Sequence, residues 1–599
     1  MSEEKHVLHA FFRCAEHRQG NSTIQYWGFV KKMERCERLI IDYNFQLIDN
    51  SRAYIDYMVG GKMKEIRKLL ARVAMVLFAT GILVIPVHAE LPEVYFARNY
   101  GGEKHDEFQN MIATEDGGYI AIGYTNGNGL VGTPNEWTIE DTGRFEGLAI
   151  KYDALGNIEW AYTYGAPDRN ESFLDVVERP AGGYVIVGNS SSSSYSDTKA
   201  LVVAIDKDGN VTSRSLYGTK GDNQLYAIDT IPGGGYIAAG WTNSSSEMNT
   251  GDPDKEWGNY GAWDGLVIAL DENLALKFAN NYGGKVEDKF SGVVALNDGS
   301  GFVVVGYSQG NSEMPGEHNW SNYRNGYIYD DGIMMKLNLD GSVAWARNYG
   351  GVSYDSFHDI VELPNKEGFV VVGIVGGVST MFDGDPVKDW NCHDCNADNP
   401  DPIVVKTDYH GNVVWANNYG GNAMDGFERI LLLPNNEGFL VSGQSHGVSL
   451  TPGGDPITDW GKHEGIMDGV VVQINLDGTI AWADNYGGEG MDGITGIAVL
   501  KGGDYVFAGL SSAPSDMFDG DPEKNWGHHC GAMDAIIIHF RAKTPPTGID
   551  PLDPPVISPI TPPVKPPVVP PTGVITSAES WIGFMGISIL GIYLISKKK

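Results

Sequence analysis

The sequence predicts an all-β fold, a seven-bladed β-propeller, on three observations. First, a Tyr-Gly pair, usually within Asn-Tyr-Gly-Gly, recurs seven times, and an internal repeat of this period is typical of propellers and solenoids. Second, 78 Gly and 11 % aromatic residues indicate many short strands joined by tight turns. Third, the two ends of the repeat region complement one another, which indicates a closed ring. The repeated tyrosines are Tyr100, Tyr164, Tyr217, Tyr282, Tyr349, Tyr419 and Tyr486.

One repeat shows why each blade is predicted to have four antiparallel strands. After Tyr419, short apolar runs occupy residues 427–433 and 439–443, and a Gly- and Asp-rich loop follows. Residues 468–474 are apolar on both faces, so we expect a strand that is buried within a stack of sheets. An Asp-Gly turn then leads to a fourth strand at 480–486.

The ends of the repeat region predict closure by strand exchange. The last repeat stops after a third strand at 534–540, and residues 94–100 form an orphan fourth strand before the first repeat. Together they complete one blade and remove the open sheet edge. We therefore assign the propeller to residues 93–541.

An Asp or Asn follows each repeated Tyr by five or six residues. A side chain that recurs in every repeat is predicted to be structural, bonding backbone N–H groups in the turn between blades. These residues are Asp106, Asn170, Asp222, Asp288, Asp355, Asp425 and Asp492.

Residues 63–89 have the pattern of a signal peptide. A basic segment precedes the apolar run 73–87, and small residues predict cleavage between Ala89 and Glu90. Because 62 residues precede this segment, we interpret 1–62 as a misassigned extension or, alternatively, as a cytoplasmic tail with a signal anchor.

The C-terminal region predicts a stalk and an anchor. Residues 544–573 are Pro-rich and are expected to be an extended stalk. Residues 574–599 contain an apolar run and end in three lysines, which is typical of a transmembrane stop-transfer helix with its positive end inside. We therefore expect the protein at the cell surface, outside the membrane.

This C-terminus resembles the LPxTG-type cell-wall sorting signal of Gram-positive surface proteins. Val569-Pro570-Pro571-Thr572-Gly573 matches the motif at Pro, Thr and Gly, with Val in place of Leu. The resemblance implies that a sortase cleaves between Thr572 and Gly573 and joins Thr572 to peptidoglycan. A plain membrane anchor is the alternative.

The repeats resemble those of secreted bacterial and archaeal β-propeller proteins. Asp116-Gly117-Gly118-Tyr119 followed by Gly123-Tyr124-Thr125 carries the resemblance, and Trp-x-x-x-Tyr-Gly-Gly segments extend it over about residues 93–541. The resemblance implies a propeller, but these proteins share no single activity.

Long loops between the second and third strands carry the predicted sites, because long loops are often binding elements. Several contain Gly-Asp-Pro and end in Trp. The ligand-binding candidates are Trp257, Trp390, Trp460 and Trp526, and the Ca²⁺ candidates are Asp383, Asp385, Asp389, Asp455, Asp459, Asp519 and Asp521. Trp suits either packing or ligand stacking, and carboxylates are the hard oxygen ligands that Ca²⁺ prefers. No other cofactor is predicted.

The cysteines leave two interpretations open. Cys392 and Cys395 lie in one loop and Cys530 in another. They fit a zinc site completed by a histidine, or a disulfide between Cys392 and Cys395.

The function that we expect from the sequence is ligand binding or adhesion without catalysis, by a monomeric propeller whose partner is a surface glycan or protein. No G-x-S-x-G, H-E-x-x-H or P-loop motif is present. The net charge of −34 argues against nucleic acid. The alternatives are an extracellular glycan-active hydrolase that uses loop carboxylates, and a structural surface-layer component.

Overall fold

The computed structural model describes residues 93–541 apart from 103, 130–136, 138–142, 193–196, 219–220, 247–256, 259, 312–328, 352, 380, 382–386, 391–398, 422, 435–436, 448–459, 461–464, 516–523 and 527–531. All of these described residues belong to one compact unit, His88–Lys599. The predicted signal peptide, stalk and anchor lie outside them, together with Ala89, Glu90, Thr572 and Gly573. None of the helices among the described residues is long and apolar enough to cross a membrane.

The described residues are all-β, as predicted. After the first strand, β1 (Glu93–Asn99), the strands follow in sets of four, with the last set one strand short. The first three sets are β2 (Asp106–Ala113), β3 (Tyr119–Thr125), β4 (Glu146–Tyr152), β5 (Ile158–Tyr164); β6 (Arg169–Glu178), β7 (Tyr184–Ser192), β8 (Asp197–Ile205), β9 (Val211–Tyr217); and β10 (Gly221–Thr230), β11 (Tyr236–Thr242), β12 (Asp264–Leu270), β13 (Leu276–Tyr282).

The remaining sets continue the pattern, with one 3₁₀ turn at Pro364–Lys366. They are β14 (Asp288–Ala295), β15 (Gly301–Ser308), β16 (Asp331–Asn338), β17 (Val343–Tyr349); β18 (Asp355–Glu362), β19 (Phe369–Val375), β20 (Asp401–Thr407), β21 (Val413–Asn418); β22 (Asp425–Leu432), β23 (Phe439–Ser445), β24 (Asp468–Ile474), β25 (Ile480–Tyr486); and β26 (Asp492–Val499), β27 (Tyr505–Ser511), β28 (Asp534–Arg541).

Each set forms a four-stranded antiparallel sheet whose strands pair in chain order. The second and third sets are joined into one eight-stranded sheet by a short parallel pairing of β8 with β10. The last sheet takes its fourth strand from the other end of the chain, because β1 pairs antiparallel with β28 from Glu93↔Arg541 to Asn99↔Ile536. The predicted exchange of the N-terminal strand is therefore present.

The hydrophobic core of the described region consists of seven clusters, each formed by two sheets. Six clusters join sets that are consecutive in the chain. The seventh packs Phe108 and Tyr119 of the first set against Val506 and Ile537 of the last sheet. Both faces of the middle strands are buried, as in β24, where six of seven residues are buried. This explains why the third-strand sequences are apolar without alternation.

A glycine near the end of each second strand is required by the close approach of the first strand. At Gly443, an added Cβ would lie 1.9 Å from the carbonyl oxygen of Gly426. We expect Gly443→Ala to destabilise the protein by about 1–3 kcal/mol, because the strands must separate to relieve the overlap. Thermal unfolding of the full chain measures this. Gly502→Ala is the matched control, since no atom lies within 4 Å of its added Cβ, and an equal shift in both variants would contradict the explanation.

Candidate functional site

The four tryptophans that we predicted to bind ligand are buried. Trp257, Trp390, Trp460 and Trp526 are 1–3 % exposed. Their indole N–H groups bond within the fold, for example from Trp390 Nε1 to the carbonyl oxygen of Gly377 at 3.1 Å. An aromatic ring buries a large apolar area in such a position. The structure thus corrects the ligand-stacking prediction in favour of packing, and we place the candidate site elsewhere.

The predicted calcium ligands lie mainly outside the described residues: Asp383, Asp385, Asp455, Asp459, Asp519 and Asp521. Asp389 is described, is 7 % exposed and accepts a hydrogen bond from Ser379 Oγ at 3.0 Å. Within the described ranges, no group of three or more His, Cys, Asp or Glu side chains is placed to hold a metal ion. The cysteines of the predicted zinc or disulfide site also fall outside these ranges.

The repeated acidic residue has the structural role that the sequence predicts. In five of the sets its Oδ2 accepts a hydrogen bond from the backbone N–H of the glycine four residues earlier, as Gly102 donates to Asp106 at 2.8 Å. The prediction was one residue out of register for Asn170 and Asp222. Strand pairing shows that Glu171 and Asn223 are the equivalents, because they lie opposite Ser190 and Thr242 as Asp106 lies opposite Thr125.

A β-bulge follows this residue in the first strand of every set. Each bulge inserts one residue after a large apolar side chain that recurs at this place in every set, as between Phe427 and Arg429. A bulge turns its side chain out of the ladder, and such features are frequent beside functional sites. The seven bulge residues are Gln109, Leu174, Tyr226, Ser291, His358, Glu428 and Thr495.

Six of the seven bulge residues, all except Leu174, line one cavity of about 420 Å³, which we call the bulge pocket. Hydrogen bonds join bulge side chains to the first strand of a neighbouring sheet. Ser291 Oγ donates to the carbonyl oxygen of Phe357 at 2.6 Å, and Thr495 Oγ1 donates to that of Phe108 at 2.7 Å. The pocket is therefore bordered by several sheets and its polar groups are held in place.

A histidine and a carboxylate form an ion pair inside the bulge pocket. His358 Nδ1 lies 3.2 Å from Glu428 Oε2 and 2.9 Å from the carbonyl oxygen of Phe427. A carbonyl only accepts, so Nδ1 carries a proton and Nε2 is the nitrogen left for a ligand. The side chains of His358 and Glu428 remain 19 % and 38 % exposed, and this exposed part faces the pocket.

The pairing of His358 with Glu428 shifts the pKa of each group towards its charged form. Burial lowers the pKa of His358, but the charge of Glu428 and the hydrogen bonds outweigh burial and raise the pKa above 6.5. Burial raises the pKa of Glu428, but the charge and hydrogen bond of His358 outweigh it and bring the pKa below 4.5. The pair therefore favours the imidazolium form of His358 and the carboxylate form of Glu428.

Aromatic rings and a lysine form one wall of the pocket. The rings of Tyr226 and Trp241 lie 5.2 Å apart and are tilted by 34°. Lys289 Nζ lies 4.5 Å from the Trp263 ring centre and 5.4 Å from that of Trp241. Trp241 and Tyr226 are half-buried, unlike the loop tryptophans. A half-buried aromatic ring beside hydrogen-bonding groups is suited to the apolar face of a sugar.

Arg429 borders the pocket and reaches across to other sheets. Its guanidinium donates to the carbonyl oxygens of Thr495, Gln109 and Leu174 at 3.1–3.4 Å. Burial lowers the pKa of Arg429, but the charges of Asp359 and Asp175 outweigh burial and raise it. Burial in turn raises the pKa of Asp359 to about 6, opposed by Arg429. Arg429 thereby joins its own sheet to three others at the border of the pocket.

The bulge pocket is the site that the sequence analysis missed. The signal was the residue that follows the Phe, Leu or Ile of each first strand, because its size and polarity differ from repeat to repeat while the preceding residue is always large and apolar. Recognising it needed the strand register, because a bulge reverses the expected face of the side chain. Chemically, the pocket offers a proton donor, an aromatic wall and cations.

No family model matches the sequence, and no curated protein matches it. Solved structures are similar to it: Sqt1 from Chaetomium thermophilum has 10 % identity and a TM-score of 0.34 over 76 % of this chain and 100 % of that one. CoXyl43, a GH43 β-xylosidase/α-arabinofuranosidase from a compost microbial metagenome, has 11 % identity and a TM-score of 0.26 over 55 % and 99 %. The GH43_1 enzyme from Xanthomonas citri has 10 % identity and a TM-score of 0.24 over 54 % and 95 %.

The two glycoside hydrolases among these structures contradict our prediction that the protein is not an enzyme, and we withdraw that prediction.

Proposed function

We propose that the protein is an extracellular glycan-active hydrolase, built as a closed seven-bladed propeller with the bulge pocket as its site. The single observation that carries the proposal is the His358–Glu428 ion pair, held at two adjacent β-bulges with His358 Nε2 free to meet a ligand. The proposed active site differs in location from the hydrolase site predicted from the sequence, because the catalytic groups lie in the bulge pocket and not in the long loops.

Closure of the ring is supported by contacts between the first and last sets. The pairing of β1 with β28 completes the last sheet, and Thr495 Oγ1 bonds to the carbonyl oxygen of Phe108. Arg429 also bonds across to Gln109 and Leu174 of the first two sets. In a closed ring of seven blades the first strands surround the axis, and the bulge pocket then opens on that axis.

In the proposed reaction, His358 is the general acid and Glu428 is a positioning residue. The imidazolium Nε2–H gives its proton to the leaving glycosidic oxygen as the bond between that oxygen and the anomeric carbon breaks. Water attacks the anomeric carbon and loses a proton, which restores the imidazolium. Positioned acid–base groups of this kind contribute about 10²–10⁴-fold to rate.

The role of Glu428 predicts a change in the pH profile. Because the acid must be protonated, kcat is expected to fall as pH rises through the pKa of His358, which lies above 6.5. Glu428→Gln removes the negative charge that holds this pKa up, so the midpoint of the fall moves to lower pH. Initial rates from pH 5 to 9 measure it. A variant with reduced kcat but an unmoved midpoint would show that Glu428 acts only in packing.

A glycan hydrolysis screen tests the proposal. The full chain is incubated with a library of plant, microbial and cell-wall polysaccharides, and new reducing ends are measured with time. Release that scales with protein concentration and is lost in His358→Gln supports a hydrolase. Saturable binding to the same glycans with no new reducing ends would contradict hydrolysis and indicate recognition without turnover.

We also propose display at the cell surface, which rests on the sequence patterns at 63–89 and 544–599. If a sortase processes the protein, lysostaphin-type digestion of walls from the natural source releases peptides that end at Thr572 joined to wall fragments. Peptides that continue past Gly573 in the membrane fraction indicate a membrane anchor instead.

A further inference from the structure

A lysine lies among three aromatic rings beside the bulge pocket. Lys289 Nζ is 4.5 Å from the ring centre of Trp263, 5.4 Å from that of Trp241 and 5.7 Å from that of Tyr307. A cation is attracted to the face of an aromatic ring within about 6 Å of its centre. Glu287 Oε2 lies 3.5 Å from the same ammonium group. We call Trp241, Trp263, Tyr307 and Lys289 the aromatic platform.

Strand pairing brings the platform residues together from two sheets. Lys289 in β14 lies directly opposite Tyr307 in β15, so their side chains share one face of the fourth set. Trp241 belongs to β11 of the third set. Trp263 directly precedes β12 and forms a parallel bridge with Glu287. The platform therefore spans the join between the third and fourth sets.

The platform departs from the repeat pattern of the fold. Trp241 and Tyr307 each follow the glycine near the end of a second strand. The first set also has an aromatic residue there, Tyr124, but it has Glu107 opposite it where the fourth set has Lys289. In the four remaining sets the corresponding residues are Asn189, Ile374, Gln444 and Leu510. A blade is thus built without these side chains, which is typical of a site added to a repeat fold.

The chemistry of the platform suits a neutral sugar. Its three rings are half-buried, so part of each is accessible. Lys289 Nζ already faces all three rings, and its charge disfavours a second cation beside it. A pyranose ring is neutral, has an apolar face that stacks on an aromatic ring, and has hydroxyl groups at its edge. The Glu287 side chain is 33 % exposed and can accept hydrogen bonds from such hydroxyls.

The platform extends the aromatic wall past the bulge pocket. Trp241, Tyr307 and Lys289 line the pocket, and Trp263 lies next to them beyond this lining. Because Lys289 Nζ is 4.5 Å from one indole and 5.4 Å from the other, the two indole centres are at most about 10 Å apart. A sugar on Trp263 would therefore be a near neighbour, along one glycan chain, of a sugar in the pocket.

We propose that Trp263 is a second sugar-binding site, and that the ligand is a neutral glycan chain of at least three sugar units that runs from the bulge pocket over Trp263. The inference rests on the proposed function for the sugar in the pocket. Lys289 is a positioning residue, because its attraction to the rings of Trp241 and Trp263 holds both in place for stacking. A two-unit glycan fills the pocket only, whereas a longer chain gains the contact with Trp263.

Calorimetric titration of the full chain tests the site without requiring turnover. The probes are β-1,4-linked gluco-, xylo-, manno- and chito-oligosaccharides of two and six units, and every variant is made in the His358→Gln background so that no probe is cleaved. We expect a six-unit probe to bind about five- to tenfold more tightly than its two-unit counterpart. Trp263→Ala is expected to abolish this difference and to leave the affinity for the two-unit probe unchanged.

Trp345→Ala is the matched control for Trp263→Ala. Trp345 is also half-buried and has a cation near its ring, since Arg347 Cζ lies 5.8 Å from the ring centre. It belongs to β17, the fourth strand of its set, and does not line the bulge pocket. We expect this variant to keep the preference for the six-unit probe.

Two replacements of Lys289 test its positioning role, and they also test the site where Trp263→Ala does not fold. Lys289→Met keeps an apolar stem without the charge and is expected to lose the preference for the six-unit probe. Lys289→Arg keeps a cation over the rings and is expected to retain the preference. An equal loss in both variants would overturn the positioning role of the charge.

Equal affinity for the two-unit and six-unit probes would overturn the second site, as would a preference that Trp263→Ala leaves intact. The absence of binding by every probe at millimolar concentration would also overturn it. Length-dependent binding together with no new reducing ends in the wild type would support the second site and contradict the hydrolase. New reducing ends without length-dependent binding would do the reverse, so the two proposals can fail separately.

Discussion

Replacing His358 by glutamine is expected to lower kcat on the glycan that the screen identifies by about 10²–10⁴-fold, with little change in the melting temperature. Glutamine can keep a hydrogen bond to the Phe427 carbonyl oxygen but cannot donate an acidic proton. The loss corresponds to removal of a positioned general acid. Initial rates at saturating substrate measure it, and KM is expected to stay within a few-fold because the aromatic wall is unchanged.

The matched control for this prediction is His539→Gln. His539 also pairs with a carboxylate, since its Nε2 lies 3.1 Å from Asp504 Oδ2, but it is buried in β28 and does not line the bulge pocket. We expect this variant to keep kcat and to lose stability instead. Equal losses of kcat in the two variants would mean that the effect is general damage to the fold.

Replacing Trp460 by alanine is expected to destabilise the protein by about 3–5 kcal/mol, the range for large-to-small core substitutions of aromatic residues. Trp460 is 1 % exposed, packs edge-on to Phe427 and donates from Nε1 to Ser445 Oγ at 3.1 Å. Replacing it by alanine leaves a cavity and removes the indole N–H that donates a hydrogen bond to Ser445 Oγ. Chemical or thermal unfolding of the full chain measures the change.

Trp241→Ala is the control in which binding, and not stability, is expected to change, because Trp241 lines the bulge pocket and is half-buried. We expect Trp241→Ala to raise KM several-fold and to lower the free energy of unfolding by less than Trp460→Ala does. The outcome that would contradict this assignment is a Trp460→Ala variant of normal stability that no longer binds glycan, since it would return the site to the loops.

The strands were predictable because their burial produces short apolar runs, which are separated by Gly- and Asp-containing turns. Residues 468–474 and 480–486 were predicted with the bounds observed for β24 and β25. β24 is mainly apolar because both of its faces are buried, and β25 follows it after an Asp-Gly turn. The first strand β22 begins at Asp425, two residues before the prediction, because its start is a buried Asp that resembles a turn residue in sequence. The pairing of β1 with β28 was predicted from the missing fourth strand.

The site was not predictable in the same way, because it depends on distances between residues far apart in the chain. His358 and Glu428 are 70 residues apart in the numbering, and only the convergence of two bulged strands brings them to 3.2 Å. The loop tryptophans misled the prediction because an aromatic residue after a Gly-Asp-Pro turn has the same sequence pattern whether it packs or binds. Solvent exposure decides between the two, and sequence does not encode it locally.

A crystal structure of the His358→Gln variant with the oligosaccharide that the wild type cleaves would show directly whether the bulge pocket is the active site. We expect a sugar ring against Trp241 and Tyr226 in the bulge pocket, with the glycosidic oxygen within hydrogen-bond reach of the residue 358 side chain. Sugar bound at the loops around Trp390 or Trp460, with none in the bulge pocket, would contradict it.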